Sequence, residues 1–410
     1  VILLIGTILY FAFAPFIIKL VFSGFEPEKQ MLTVKYSRFF SPLIFLFGLS
    51  LIYCSLFHSF RDFFLPSLSA LIYPASSIVA LYLLPSSFGI VSLIYGNLIG
   101  AVFGIIILIL FMQRKIPWLW FSWHYDNPLI CSTLILSIPV VMENLVLKIA
   151  IFIKNRIISL LPINGALTMI EINLFIIHSI AIFISGPIST AIFPLLGQQE
   201  ANEKRKELVE TFQKTLNILF FMAIPFNAFM FLEADSLIRF LFGYGRFTDF
   251  ECTTTAKLVI ITSFVIIPNC IQSLTGRMFF ILEYTKVPSI ISSILMMIGA
   301  GLCYLGAIRF GIYGFMIIAT FGTCIGALSN LFILLALLNW KLNLRLLISP
   351  FKSLIASVFM IIVLMAINKI FKAYNIPIFI HMLLVSTISF ISYIVACRLL
   401  KHEDLNYLFN

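Results

Sequence analysis

Long apolar stretches separated by short polar turns run through the whole chain. Each stretch is about 17 residues or longer, the length that an α-helix needs to cross a hydrocarbon layer of roughly 30 Å. The pattern predicts about twelve membrane-spanning helices, at residues 1–22, 39–57, 65–84, 88–112, 129–153, 166–194, 215–232, 255–275, 287–308, 311–339, 350–370 and 377–398. The predicted fold class is therefore an all-α polytopic membrane protein, with no loop large enough for a separate catalytic domain.

The stretch from Gly165 to Gln199 carries the most informative polar positions. Glu171, Phe175 and His178 are separated by offsets of four and seven residues, which return to nearly the same side of an α-helix. A carboxyl group and an imidazole on one side of a lipid-length helix favour a surface that faces protein or a watery cavity. The alternative is a protonated Glu171 that is hydrogen-bonded to a neighbouring helix, with the stripe packed against the fifth span as ordinary core.

The composition agrees with a membrane protein and narrows its partners. Of the 410 residues, 61% are hydrophobic and 11% are charged, and the net charge is +10. Because no basic cluster with interleaved aromatic residues stands apart from the helices, this charge indicates lysine and arginine at membrane surfaces rather than binding of nucleic acid. The expected partners are membrane lipids and an anionic, lipid-linked substrate.

Cysteine usage and the distribution of basic residues lead to two further expectations. The seven cysteines form no CxxC pair and have no histidine at ligand spacing, so no metal site and no cofactor are expected. Lysine and arginine are somewhat more frequent in the even-numbered loops and the tail, which predicts that residues 197–214 and the tail after Arg398 are cytoplasmic. Within the first of these segments, the run EANEKRKELVE predicts a solvated amphipathic surface helix.

Two blocks of sequence recur at one spacing. Leu51 to Ser69 aligns without gaps with Ser273 to Ile291, so that Phe57 pairs with Phe279, 222 positions later. Further upstream, Phe25 pairs with Phe247 at the same shift. Parallel repeats of this kind are found in transporters whose two halves are related by an axis along the membrane normal. We therefore expect two pseudo-symmetric lobes plus two C-terminal helices: an incomplete four-helix N-lobe at 1–115, a six-helix C-lobe at 125–340 and the C-terminal pair at 350–398. By this symmetry, two helices would precede Val1.

Five motifs resemble one family of transporters. They are GFEPEKQMLTVKYSRFFSP at 24–42, SLFHSFRDFFLPSLSALI at 55–72, AIFPLLGQQ at 191–199, LIRFLFGYGRFT at 237–248 and RMFFILEYTKVP at 277–288. In this order and spacing they resemble the MurJ (MviN) family of lipid II flippases, in the multidrug/oligosaccharidyl-lipid/polysaccharide exporter superfamily. The resemblance covers that family's third to fourteenth membrane helices.

The resemblance implies outward movement of a lipid-linked peptidoglycan precursor across the bacterial inner membrane by alternating access. Such a substrate, of the undecaprenyl-pyrophosphate type, needs a basic hydrated cavity for its head group and an apolar groove for its tail. We expect Lys148, and Lys154 with Arg156 at the end of the fifth span, to supply cations, although the last two could instead reach the lipid head groups. The substrate-cavity candidates are Glu143, Lys148, Arg156, Glu171, Phe175 and His178.

The chain departs from the family at one important place. Counted back from Pro194, the Asp-Arg pair of the family's eighth helix falls on Leu174 and Phe175. The arginine expected in the cavity is thus absent, and Glu171 and His178 lie one turn to either side of that position. Neither of them is a permanent cation.

Three alternatives follow from these observations. The first is another exporter of the same superfamily, for lipid-linked oligosaccharides or for drugs by ion antiport, which an acidic residue such as Glu143 or Glu171 would favour. The second is a membrane fragment that does not transport. The third, an enzyme, is disfavoured because no nucleophilic triad, catalytic carboxylate pair or phosphate-binding glycine motif occurs on any loop.

Overall fold

The protein is described by a computed structural model over residues 2–60, 62–116, 128–338, 345–373, 377–402 and 405. Helices dominate these residues, and no β-strand occurs among them. The helices are α1 (Ile2–Val21), α2 (Pro27–Phe40), α3 (Pro42–Ser59), α4 (Phe64–Leu83), α5 (Ile90–Lys115), α6 (Pro128–Ser159), α7 (Ala166–Ala201), α8 (Arg205–Phe242), α9 (Asp249–Ser263), α10 (Ile266–Ile281), α11 (Lys286–Leu337), α12 (Arg345–Ala373) and α13 (Ile378–Leu399). The chain divides into two compact units, Val1–Ser137 and Ile138–Asn410.

The helix α11 is a hairpin of two spans. It contains 52 residues and is interrupted at Gly311, whose φ is 61° and ψ is −144°. Cys303 Sγ lies 3.8 Å from the carbonyl oxygen of Phe315, whereas a continuous helix would separate these residues by about 18 Å. The chain therefore reverses at Gly311, between the arms 286–310 and 312–337, which match the ninth and tenth predicted spans.

The number of spans agrees with the hydropathy pattern. Within the described ranges, nine helical segments are long and apolar enough to cross a membrane, and the pair α9–α10, bent by 47°, passes as a tenth. Counting α11 as two spans and including the 32-residue α6 gives twelve. The prediction of an all-α, polytopic membrane protein is confirmed.

Helix boundaries repeat at the shift found in the sequence. Helix α2 begins at Pro27 and α9 at Asp249, while α3 ends at Ser59 and α10 at Ile281. Each pair is 222 residues apart. Helix α5 covers residues 90–115, and the second arm of α11 covers 312–337. The internal repeat is thus present in the local structure as well as in the sequence.

Individual residues and bonds repeat as well. Phe57 and Phe279 are both buried, and each carbonyl oxygen accepts a hydrogen bond from the backbone N–H five residues later, at 3.0 and 2.9 Å. Gly89 has a φ of 49°, and Gly311, 222 residues later, has a φ of 61°. Residues with a side chain rarely adopt a positive φ, so glycine at both positions allows the turn that precedes the following span.

One prediction about a polar segment needs correction. The run EANEKRKELVE does not form a separate surface helix, because α7 continues to Ala201 and α8 begins at Arg205. Alanine, glutamate, lysine and arginine are strong helix formers, so they extend the two spans beyond their apolar parts. Helix α2 precedes the span predicted at 39–57. The sequence of α2 is polar, so the pattern of apolar stretches did not indicate a span there.

In the unit Ile138–Asn410, apolar side chains of α7, α8, α9 and α10 form the largest buried core, to which the second arm of α11 contributes. A second buried cluster joins α6 to α7 and to both arms of α11. A third joins α8 to α12 and α13. Helix α7 therefore has one side fixed by packing, and its remaining side is available for function.

Candidate functional site on α6 and α7

Helices α6 and α7 form an antiparallel hairpin. They are joined by residues 160–165, and the last of these, Gly165, has a φ of 78°. In such a hairpin, residues at equal distances from the loop lie beside one another. Lys154 is five residues before the end of α6 and Glu171 five residues after the start of α7. Their side chains meet: Lys154 Nζ lies 2.8 Å from Glu171 Oε1.

The stripe expected on α7 lies on its exposed side. Glu171, Phe175 and His178 are exposed, and Phe175 has 69% of its surface accessible. Asn173 and Ile177, on the other side of the helix, are buried. His178 is close enough to Lys154 and Glu171 to interact with both electrostatically. We call the group formed by Lys154, Glu171, Phe175 and His178 the α7 face.

Polar contacts outside the α7 face connect α7 to its neighbours. Thr262 of α9 donates a hydrogen bond to the Asn173 side-chain oxygen at 2.6 Å, and both residues are buried. Toward the other end, Arg277 of α10 donates to Thr190 Oγ1 at 2.9 Å. The Arg277–Thr190 bond is exposed. Because buried polar groups need partners, the buried bond to Asn173 fixes the rotation of α7 and with it the direction in which the α7 face points.

The ion pair differs from the alternative in which a protonated Glu171 packs as ordinary core. This carboxyl group does not pack as core, since its side chain is 53% exposed, and its partner is a lysine rather than a neutral group. Lys154 is more enclosed, with 22% of its side chain exposed. The pairing was not predicted, because the equal distances of the two residues from the loop become visible only when the ends of α6 and α7 are known.

Two of the other candidates, Lys148 and Arg156, lie away from Lys154 on α6. Lys148 and Arg156 are both exposed, and at about 100° per residue they are separated from Lys154 by roughly 120° and 160° around α6. Arg156 makes a further contact of its own. The side chain of Glu143 lies outside the described residues. That any of these residues binds substrate stays a prediction, as does the expectation that Lys148 faces the space between the lobes.

The α7 face has the chemistry of a polar binding surface. It combines one lysine, one carboxylate, one imidazole and one exposed aromatic ring. Among the residues that the structure describes, no three His, Cys, Asp or Glu side chains are grouped so that they could hold a metal ion. The cation of Lys154 is balanced by Glu171, so the pair is electrically neutral as it stands.

A multi-pass helical membrane protein with a parallel internal repeat has the build of a secondary transporter. The chain belongs to the MurJ family, because the family described as "Lipid II flippase MurJ" matches residues 1–386. The family is one of transporters, which fits the span count and the repeat.

Two bacterial relatives are also described as probable lipid II flippases. A probable lipid II flippase MurJ of Buchnera aphidicola subsp. Acyrthosiphon pisum (strain APS) is 26% identical over 291 residues, 70% of this chain and 57% of that protein. A protein of the same description from Borreliella burgdorferi is 23% identical over 225 residues, 53% of this chain and 42% of that protein. The matches span 57% and 42% of the length of these two curated relatives.

Solved structures agree on the fold. A structure titled lipid II flippase MurJ, inward closed conformation, matches with a TM-score of 0.78 and 21% identity, covering 98% of this chain and 81% of that one. An inward-facing multidrug resistance MATE family transporter of the MOP superfamily matches with a TM-score of 0.69 and 16% identity, covering 82% and 78%. These likenesses show the fold that MurJ and MATE transporters share.

Proposed function

We propose that the protein moves lipid II, a lipid-linked peptidoglycan precursor, outward across the bacterial inner membrane by alternating access. Its substrate is then an anionic lipid of the undecaprenyl-pyrophosphate type, and it works as a transporter without covalent chemistry. Membership of the MurJ family and the similarity to a probable lipid II flippase of Buchnera aphidicola support this proposal. The single structural observation behind it is the Lys154–Glu171 pair on the exposed side of α7.

The pair offers a way to accept and release an anion. Charged side chains within membrane helices are costly and are typical of substrate or ion pathways. In the absence of substrate, Glu171 neutralises Lys154 and lowers this cost. A pyrophosphate can take the place of Glu171 as the partner of Lys154, because both are oxygen anions that accept hydrogen bonds from an ammonium group.

The other members of the α7 face fit the same role. Phe175 provides an exposed aromatic surface against which a sugar or an isoprenoid segment can pack. His178 adds a hydrogen-bonding group one turn further along the helix and becomes a second cation when it is protonated. The face is then selective for an amphipathic anion rather than for a purely apolar molecule.

Complementation tests the proposal. Cells depleted of their own lipid II flippase are supplied with the full-length gene product, either unchanged or carrying Lys154→Ala. We expect the unchanged protein to restore growth and Lys154→Ala to restore it poorly. The control is Lys206→Ala, which removes an exposed lysine at the start of α8.

Two results would count against the proposal. Failure of the unchanged, membrane-inserted protein to restore growth would contradict lipid II as substrate and favour another exporter of the superfamily. Full growth with Lys154→Ala would show that transport does not depend on the α7 face.

A further inference from the structure

A buried carboxyl group outside the α7 face joins three helices of the unit Ile138–Asn410. Glu233 of α8 has only 1% of its surface exposed. The side-chain amide of Asn368, on α12, donates a hydrogen bond to Glu233 Oε1. His381 Nε2, on α13, lies 3.1 Å from Asn368 Oδ1. Carboxyl, amide and imidazole therefore form one chain of hydrogen bonds across α8, α12 and α13.

Glu233, Asn368 and His381 lie in apolar surroundings. Side chains of α8, α12 and α13 pack into one buried cluster, which includes Ala228, Leu364 and Val385. The ring of Phe371 contacts the ring of His381 edge-on, with 5.5 Å between their centroids. A carboxylate in such a place is expensive unless a cation or several hydrogen bonds compensate it.

No cation is paired with Glu233 among the residues that the structure describes. On α8, Arg239 pairs with Asp235 and with Asp249 of α9. Lys257 of α9 and Lys369 of α12 are exposed. The side chain of Lys372, one turn after Asn368, lies outside the described residues, so a Lys372 variant belongs to the experiment. Binding of a proton neutralises the negative charge of the Glu233 carboxylate without a second ion.

The amide of Asn368 suits both protonation states. When Glu233 is ionised, the NH₂ group donates to the carboxylate, and the amide oxygen accepts a hydrogen bond from His381. When Glu233 is protonated, the carboxylic acid can donate to the amide oxygen, and the flipped NH₂ group can donate to a neutral His381 Nε2. In both arrangements, the side chains of Glu233, Asn368 and His381 remain hydrogen-bonded to one another.

The position of the three residues gives the proton a route. Asn368 is five residues from the end of α12 and His381 is the fourth residue of α13, so both lie near the connection between these helices. His381 is half-buried, whereas Glu233 is enclosed. Protons can therefore reach Glu233 from the side of His381.

We propose that Glu233, Asn368 and His381 form a proton-binding site, in which Glu233 holds the proton and His381 exchanges it with water. Binding or release of the proton changes the hydrogen bonds that connect α8 with α12 and α13. The packing of the C-terminal helix pair is then proton-dependent. This inference does not depend on the identity of the transported molecule.

Infrared difference spectroscopy of the purified full-length protein in lipid vesicles tests the site directly. The carbonyl stretch of a protonated carboxylic acid is separate from that of a carboxylate, and exposed acids are ionised over the range of roughly pH 5 to 8 in which histidine titrates. We expect the protein to show a protonated carboxyl band in this range. Glu233→Gln should remove the band, and His381→Gln should change its pH dependence.

Matched variants keep the experiment decisive. Glu207→Gln removes an exposed glutamate that pairs with Lys204 and should leave the band unchanged. Glu233→Asp keeps an acid in the site and should shift the band rather than remove it, which covers the case in which Glu233→Gln does not fold. Lys372→Gln should have no effect.

Three outcomes would overturn the proposal. The first is a band that Glu233→Gln leaves intact in a folded protein, or no band at all. The second is a band that appears only in Lys372→Gln, which would make Lys372 the counter-ion of an ionised Glu233. The third is a band that sodium ions abolish at constant pH, which would assign the site to a metal cation.

Discussion

Lys154 Nζ and Glu171 Oε1 lie 2.8 Å apart, and this ion pair connects α6 with the exposed side of α7. In the proposed function, an anionic head group competes with Glu171 for the same ammonium group. Glu171→Gln should therefore strengthen binding of a lipid-linked pyrophosphate by about tenfold, because a hydrogen bond to a charged group contributes about 1.5–3 kcal/mol. Native mass spectrometry of the purified protein with undecaprenyl pyrophosphate measures this change.

The control for this substitution is Glu207→Gln, which breaks an exposed ion pair with Lys204 in α8. It should leave the affinity unchanged. Unaltered or weaker binding by Glu171→Gln, in a protein that folds normally, would show that Glu171 does not compete with the substrate.

Phe175 occupies the position at which the family's arginine is expected. Because Phe175 is 69% exposed, Phe175→Arg can be accommodated without disturbing the core. We expect this variant to bind undecaprenyl pyrophosphate more tightly, since it adds a permanent cation one turn from Glu171. Phe183→Arg, at a position on α7 that is 70% exposed, is the control. Equal gains from both variants would mean that the added charge acts through the membrane surface and not through the α7 face.

The two turn glycines should be sensitive to substitution. Gly89 and Gly311 have φ values of 49° and 61°, so a side chain at either position introduces strain of about 1–3 kcal/mol. Gly89→Ala and Gly311→Ala should both lower the thermal unfolding temperature. Gly299→Ala, which adds a methyl group in open space inside a helix, should be neutral or slightly stabilising. A Gly311→Ala protein as stable as Gly299→Ala would contradict the reversal of the chain at Gly311.

The loop before α4 contains a pH-dependent contact. Lys115 Nζ donates a hydrogen bond to Asp62 Oδ2 at 2.7 Å, and this bond lowers the pKa of Asp62 below its usual value of 3.8. Because folding lowers the pKa of Asp62, the contact stabilises the protein when the pH is above the usual pKa. This contribution to stability disappears as the pH falls through the lowered pKa. Asp62→Asn should therefore be less stable than the unchanged protein at neutral pH, with the difference vanishing in acid.

Thermal unfolding at several pH values measures this effect, and Lys115→Gln provides the second arm of a double-mutant cycle. In the Lys115→Gln background, Asp62→Asn should change stability little at any pH. A pH-independent effect of Asp62→Asn in both backgrounds would assign it to packing instead of the ion pair.

The sequence predicted the features that repeat over many residues. Twelve apolar stretches gave the spans, and the shift of 222 gave correspondences that recur in the boundaries of α2, α3, α9 and α10. What it did not predict depends on contacts between helices. The pairing of Lys154 with Glu171 required the exact ends of α6 and α7, which a hydropathy window leaves uncertain by several residues. Glu233, Asn368 and His381 are 135 and 13 residues apart along the chain, and only tertiary packing brings them together.

Binding of two lipids that share one tail and differ in their head groups tests the α7 face most directly. Undecaprenyl pyrophosphate and undecaprenyl alcohol share the same tail, and their binding to the purified protein can be measured side by side. We expect a clear preference for the pyrophosphate, which Lys154→Ala reduces by about tenfold or more while binding of the alcohol stays unchanged. Equal binding of the two lipids, or a preference that Lys154→Ala leaves intact in a folded protein, would contradict the assignment of the α7 face to an anionic lipid head group.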